Sequence, residues 1–342
     1  MTNITQKLIV MAGVMGSGKT TKAKEIALAH NAHHLSSDAI RLELFGSESH
    51  LEDGDKVFKT LYDRARYHLS NGENVVVDAM NISRKRRIHF LTHEMRGIKA
   101  RKIVVYMATP FEKCIENDKK RDRHVGYAPI LNAYKNLDVP IYGEGWDEVV
   151  FSPYGDIKNI DLKIVEKTSY LLERCVNYER FKELAVELFP SLEDISDLKH
   201  HNPHHTYDVM EHTYHVVKNM RKLYGTYDDM QLSNESVAMK FSALFHDSGK
   251  AVTKAFRDSN GNISEKAHYY GHEKVSAQIA VAELLHNGFN DFVINMVNEL
   301  VQFHMDFYKA PKKNGKRKVE SFISKRRFKQ LEILNDCDKR GH

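Results

Sequence analysis

The chain has 342 residues, 42% of them hydrophobic and 28% charged, with a formal net charge of +5. That composition excludes a disordered or membrane-embedded class, and the length exceeds one ordinary core, so two domains are expected. The apolar stretch Leu8–Ala12 is too short for a secretory signal and no run approaches the ~20 apolar residues of a membrane span. The three cysteines, Cys114, Cys175 and Cys337, are scattered without metal or redox spacing. Thiols in a reducing cytoplasm, with no membrane contact, are therefore expected.

In chain order, Lys7–Ala12 reads as a short buried strand and Lys19–His30 as the helix after it. Asn74–Asp78 and Lys102–Ala108 are further strand-like runs rich in Val or Ile, separated by the periodic, charged stretches 56–69, 84–95 and 111–120. Glu148–Phe151, and with it Leu162–Val165, would complete the sheet. Strands alternating with helices predict a parallel α/β sheet. From about Tyr170 the pattern changes to helical periods alone, over 179–188, 209–224, 236–245, 272–287 and 291–305. The expected domains are 1–168, α/β, and 169–342, all-α.

Between the first strand and helix lies Gly13-Val14-Met15-Gly16-Ser17-Gly18-Lys19-Thr20, a GxxxxGK[ST] phosphate loop in strand–loop–helix context. Gly13, Gly16 and Gly18 let backbone N–H groups turn toward phosphate oxygens around Ser17, Lys19 reaches the β/γ-phosphates, and Thr20 suits Mg²⁺. No Asn-Lys-x-Asp guanine-reading motif is present, and Ala79 rather than Glu follows Asp78. Both GTPases and work-producing ATPases are thereby disfavoured, leaving ATP-dependent transfer of phosphate to a hydroxyl. Such transfer needs a base and cations. Asp38 supplies a base, its bland alternative being the cap of a helix over 39–45, and Arg121 and Arg123 could close over the phosphates as a lid.

Here the chain resembles the phage-type polynucleotide 5′-kinases and related small P-loop kinases, over roughly residues 5–155. The Asp-x-x-Arg segment of that family is matched by Asp38 and Arg41, and its Asp-x-Asn by Asp78 and Asn81 with one extra residue between them. The resemblance implies that Asp38 is the base toward a 5′-hydroxyl, and that Arg41, with Asp78 and Asn81, contacts the acceptor. The lid pattern runs from Asn117 to Val125, but Gly126 stands where the family often has Pro.

In the C-terminal half, His212, His246-Asp247, His272, His304 and Asp338 form a spaced series suited to Mn²⁺, Co²⁺, Ni²⁺, Fe²⁺ or Zn²⁺, one or two ligands per helix. The chain has 20 histidines, so single ones carry little information. The order of His246–Lys250 and Tyr270–Glu273 carries more. These segments resemble the HD phosphohydrolase superfamily, and 204–213, 268–275 and 335–341 are especially similar to the HD domain of CCA-adding tRNA nucleotidyltransferases. The resemblance implies one ion held by His212, His246, Asp247 and Asp338, with Asp247 bridging to a second on His272 and His304. Asp336 is a poorer stand-in for Asp338. Lys250 and His205 would contact substrate phosphate, or else face solvent; His200, His201 and His204 receive no role.

A phosphate-adding and a phosphate-removing site on one chain suggest end healing of RNA or DNA: ATP and Mg²⁺ serve a 5′-hydroxyl kinase, and the metal pair removes a 2′,3′-cyclic or terminal phosphate. A separate RNA ligase would be the natural partner. Basic runs at 84–87, 312–318 and 325–329 suit a phosphate backbone, or equally a solvated face. The alternatives are a nucleoside or small-molecule kinase fused to an HD nucleotidase, and an ATP-sensing regulator with an inert HD domain.

Overall fold

The computed structural model describes residues 6–158, 162–201, 206–224, 233–309 and 313–341. The chain forms two compact units, Met1–Tyr154 and Gly155–His342. The expected division at 168/169 falls inside the continuous helical segment 162–174 of the second unit.

The first unit carries β1 (Lys7–Ala12), α1 (Lys19–Ala29), β2 (Ala32–Ser36), α2 (Ser37–Phe45), α3 (Gly54–Ser70), β3 (Asn74–Asp78), α4 (Arg84–His89), β4 (Arg101–Ala108), α5 (Phe111–Asp118), α6 (Tyr127–Asn136) and β5 (Glu148–Pro153). The strands form one all-parallel sheet of order β2-β3-β1-β4-β5. The near-continuous apolar runs of β1, β3 and β4 are what a sheet covered on both faces requires. Alternate residues Ile9 and Met11 of β1, Val76 of β3, and Ile103, Val105 and Met107 of β4 pack with Ala23 and Ala27 of α1. Small residues four apart on α1 let the helix lie close to the sheet. This order puts the end of β1 beside the end of β3, so the loop after β1 and Asp78 meet at the carboxyl edge, where open α/β sheets bind ligands.

Two expectations need correction here. Leu162–Val165 is no strand but the start of α7 (Leu162–Ser169), continued by a π-helical turn at Tyr170–Arg174. Half-buried Ile164 and buried Thr168, Leu171, Leu172 and Cys175 recur with helical period, which outweighs the short β-branched run. The basic run 84–87 is not wholly a solvated face. Arg87 is buried and forks onto Glu144 (2.7 and 2.6 Å), which also accepts from the Trp146 indole at 2.9 Å. The same guanidinium donates to Asn81 O at 2.7 Å, tying the pair to the loop that follows Asp78. Breaking a buried pair leaves an uncompensated charge, so Glu144→Ala should cost about 3–5 kcal/mol, read as a lowered denaturation midpoint of the first unit.

The second unit continues with α8 (Tyr178–Leu188), α9 (Val209–Tyr224), α10 (Asn234–Phe245), the single turn α11 (Lys250–Thr253), the antiparallel hairpin β6 (Ala255–Arg257) and β7 (Ile263–His268), α12 (His272–His286), α13 (Asp291–Lys309), α14 (Lys313–Glu320) and α15 (Lys325–Lys339). Side chains of Asn177, Ser233 and Ser324 cap α8, α10 and α15, each accepting a first-turn amide. Helices α9, α10, α12, α13 and α15 surround an apolar centre that includes Val216, Phe241, Val281, Val297 and Leu331. Among the described residues no helix is long and apolar enough to cross a membrane.

Candidate phosphate and metal sites

In the first unit the loop after β1 is fixed by its own backbone. Gly13 N donates to Met80 O (3.0 Å), and Asn117 Nδ2 to Gly16 O (2.9 Å). Gly16 has φ +77°, and a Cβ there would lie 2.2 Å from Cys114 O, so only glycine fits. The hydroxyl of Ser17 is buried without a hydrogen-bond partner, an orphan that a phosphate oxygen would satisfy. Lys19 Nζ rests on Val14 O at 2.8 Å. Burial lowers its pKa to about 8, against the raising influence of Asp78, and an arriving polyphosphate would reverse that cost. Asp78 is buried too, yet hydrogen bonds from His34 (3.2 Å) and Thr20, with the Lys19 charge, hold its carboxyl below the usual range. Thr20, Lys19 and Asp78 are thus together, and the donor set suits a nucleotide phosphate with Mg²⁺.

Asp38 does not cap α2; Ser36 does, through its side chain. Asp38 lies in the first turn, its half-exposed carboxylate paired with the more buried Arg41, whose Nε is buried without a partner. Asn81 has φ +45° and donates its amide to Met11 O at 2.7 Å, so it braces the ends of β1 and β3. Arg121 and Arg123 stand at the surface between α5 and α6, Arg123 Nη1 lying 3.7 Å from Glu48. The ends of their loop are clamped, since buried Asp118 accepts from Val125 N and Gly126 N at 2.9–3.1 Å.

The second unit brings all six expected ligands to one place. His212 projects from α9, His246 and Asp247 follow α10, His272 opens α12, His304 lies on α13 and Asp338 on α15, all buried. Two sets could each hold an ion, His212–His246–Asp247 and Asp247–His272–His304. Asp247 serves both: Oδ2 faces His246 Nε2 (3.3 Å) and His212 Nε2 (3.7 Å), while Oδ1 faces His272 Nε2 (3.3 Å). Asp338 Oδ1 joins the first set, 2.9 Å from His212 Nε2 and 3.6 Å from His246 Nε2. Asp336 points elsewhere, to Arg340 at 2.8 Å.

Each imidazole turns Nδ1 to a backbone carbonyl: His212 to Gly341, His246 to Ala243, His272 to Tyr269 and His304 to Val301, at 2.7–3.2 Å. A proton on Nδ1 leaves the lone pair on Nε2, the tautomer a metal needs. The Nε2 atoms converge in pairs, 3.3 Å apart in His212 and His246 and 3.1 Å apart in His272 and His304, each pair toward a point that a cation could occupy. Burial disfavours a charged His246, but Asp247 and Asp338 outweigh it and raise its pKa to about 10; His304, buried near His272 and His246, is lowered to about 4. The donor set therefore fits two divalent ions.

Lys250 Nζ sits 2.7 Å from Asp247 Oδ2 and over the Tyr269 ring. His205 and His204 lie outside the described residues. Sequence reasoning passed over His200, whose ring is buried edge-on to His212 at 6.0 Å. A histidine inside a polar run gives no periodic signal of burial. It also passed over His33, His68 and Glu73, a more exposed cluster on the first unit that could offer ligand atoms.

Residues 8–132 match the AAA domain family and residues 209–332 the HD domain family. The chain thus joins a P-loop kinase-like α/β domain to a helical HD domain. No curated protein matches it. Similar solved structures include a candidate kinase from Chloroflexus aurantiacus J-10-fl (18% identity, 44% of this chain and 86% of that one, TM-score 0.38). Another is the shikimate kinase from Acinetobacter baumannii in complex with shikimate (23%, 44% and 87%, TM-score 0.32). A chain of the Pnkp1/Rnl/Hen1 complex aligns at 25% identity over 37% of this chain and 42% of its own length, TM-score 0.32. These scores reflect too small a likeness to define a substrate.

Proposed function

We propose that the chain is a bifunctional enzyme that heals nucleic-acid ends, RNA in the first instance, by phosphorylating a 5′-hydroxyl and removing the 2′,3′-cyclic or terminal phosphate from the other end. The observation that carries this reading is the pairing, on one chain, of a phosphate loop beside a half-exposed Asp38–Arg41 pair with a buried donor set for two ions. In the first unit, Lys19 and the loop amides hold the phosphates of ATP, and Thr20 and Asp78 hold Mg²⁺. Asp38 takes the proton of the acceptor hydroxyl, Arg41 holds the acceptor's phosphate, and Arg121 and Arg123 cover the transferring group. In the second unit, divalent ions bound by the six ligands would polarise the phosphate and acidify water. Lys250 faces the incoming phosphate with Asp247 as its counter-charge. Cys114, Cys175 and Cys337 are buried and unpaired, which suits a reducing cytoplasm, where a separate ligase would join the healed ends.

A short RNA bearing a 5′-hydroxyl and a 2′,3′-cyclic phosphate, incubated with ATP, Mg²⁺ and Mn²⁺ and resolved by mass, should gain phosphate at the 5′ end and lose it at the other. Chelation should stop only the second change when Mg²⁺ is then restored alone. If neither end changes while nucleosides or other small acceptors are phosphorylated, the polynucleotide reading is wrong.

A further inference from the structure

At the amino ends of the parallel strands, away from the phosphate loop, three separate elements bring together two histidines and a glutamate. His33 lies near the start of β2, His68 in the last turn of α3, and Glu73 just before β3. The end of α3 explains how the last two meet. Gly72 takes φ +81° and donates its N–H to Leu69 O (3.1 Å), while Glu73 N–H reaches back to His68 O (3.1 Å). In this paired closure of a helix, the two residues set side by side are frequently apolar. Here they are His68 and Glu73, whose side chains meet at 2.7 Å between Nδ1 and Oε2. The third residue comes from the sheet edge, where β2 pairs in parallel with β3 and sets His33 opposite Val75. The His33 ring stacks on that of His68, with centroids 3.7 Å apart and planes 19° from parallel. Its Nε2 lies 3.3 Å from the same Glu73 oxygen.

One ligand atom from each residue lies within 4.8 Å of the other two. Two ligands of a tetrahedral ion stand about 3.3 Å apart when each bond is about 2.0–2.1 Å long. The two histidine–glutamate spacings, 3.3 and 2.7 Å, already fall near that span. The side chains of His33, Glu73 and His68 are 45%, 44% and 21% exposed, so an ion can reach them from solvent. The hydrogen bond from His68, with His33 beside it, holds the Glu73 carboxyl below its usual range, so the ionised form that a cation needs is present at neutral pH. Two imidazoles and a carboxylate suit a borderline divalent ion such as Zn²⁺, whereas Mg²⁺ takes oxygen ligands.

We propose that His33 Nε2, His68 Nδ1 and Glu73 Oε2 bind a divalent ion of the Zn²⁺ class, and that this ion pins the edge strand β2 to α3 and to the start of β3. Three protein donors leave a coordination position for water. An ion so exposed exchanges with solvent, and its occupancy is read by titration rather than on the purified protein.

The test titrates the full chain with Zn²⁺ by calorimetry, beside the variants His68→Ala and Glu73→Gln. The donor set of the second unit takes up ions alike in all three proteins, so any difference belongs to this cluster. The wild type should bind one equivalent more than either variant. Zn²⁺ should also raise the denaturation midpoint of the first unit in the wild type more than in the variants. A second measurement needs no variant: in the wild type, the ¹⁵N resonances of His33 Nε2 and His68 Nδ1 should move as Zn²⁺ is added. Equal stoichiometry in wild type and variants overturns the proposal, and so do ring resonances that stay in place at saturating Zn²⁺. The cluster is then a surface ion pair and nothing more.

Discussion

Replacing Asp247 with Ala is expected to lower phosphate removal by about 10³-fold or more while leaving 5′ phosphorylation at its wild-type rate. The size follows from the several kcal/mol that an ion pair contributes at a phosphate, with each 1.36 kcal/mol worth a factor of ten. Asp247 is the most sensitive of the six ligands because its two oxygens face different histidine sets. Its loss should reduce bound divalent metal from two ions per chain to fewer than one, measured on the purified protein. Removing a buried carboxylate also strands Lys250, so Asp247→Asn, which keeps the shape, separates loss of charge from loss of packing. A variant that retains two ions and full phosphatase activity would contradict the shared-ligand arrangement.

Lys19→Ala should produce the mirror image. Loss of a cation aimed at the transferring phosphoryl group costs about 10²–10³ in rate, and Asp38→Ala, which removes the base, about 10²–10⁴. Phosphate removal should persist in both, with metal content unchanged. Lys19 is buried near Asp78, so the Ala variant also changes the ground state; a nucleotide-binding measurement separates affinity from turnover. If either substitution abolishes both activities in a folded protein, the two sites are not independent.

What could be read from the sequence follows the strength of the local signal. The phosphate loop was legible because positive-φ glycines are hard to replace, and β1, β3 and β4 because a buried parallel strand is an unbroken apolar run. β2, Ala-His-His-Leu-Ser, escaped notice because an edge strand needs no such run. The hairpin β6–β7 escaped because its exposed faces carry mixed polar and aromatic residues without a buried alternation. The six candidate ligands that the structure brings together were legible because each sits next to a recognisable neighbour or on a periodic helix, whereas His200 is placed by tertiary packing alone. The Arg87–Glu144 pair shows the same limit: nothing local distinguishes a buried arginine from a solvated one in a basic run, since its partner lies 57 residues away.

The first candidate ion site is closed by a contact between His212 and Asp338, 126 residues apart, and by the Gly341 carbonyl on His212. Every residue of the phosphate-loop site lies before Tyr154. During synthesis, at about 5–20 residues per second, the ribosome therefore presents the complete phosphate-loop unit roughly 10–40 s before it delivers the last candidate metal ligands. A nascent chain therefore passes through an interval in which every residue of the first unit is present and the donor set of the second unit is still incomplete.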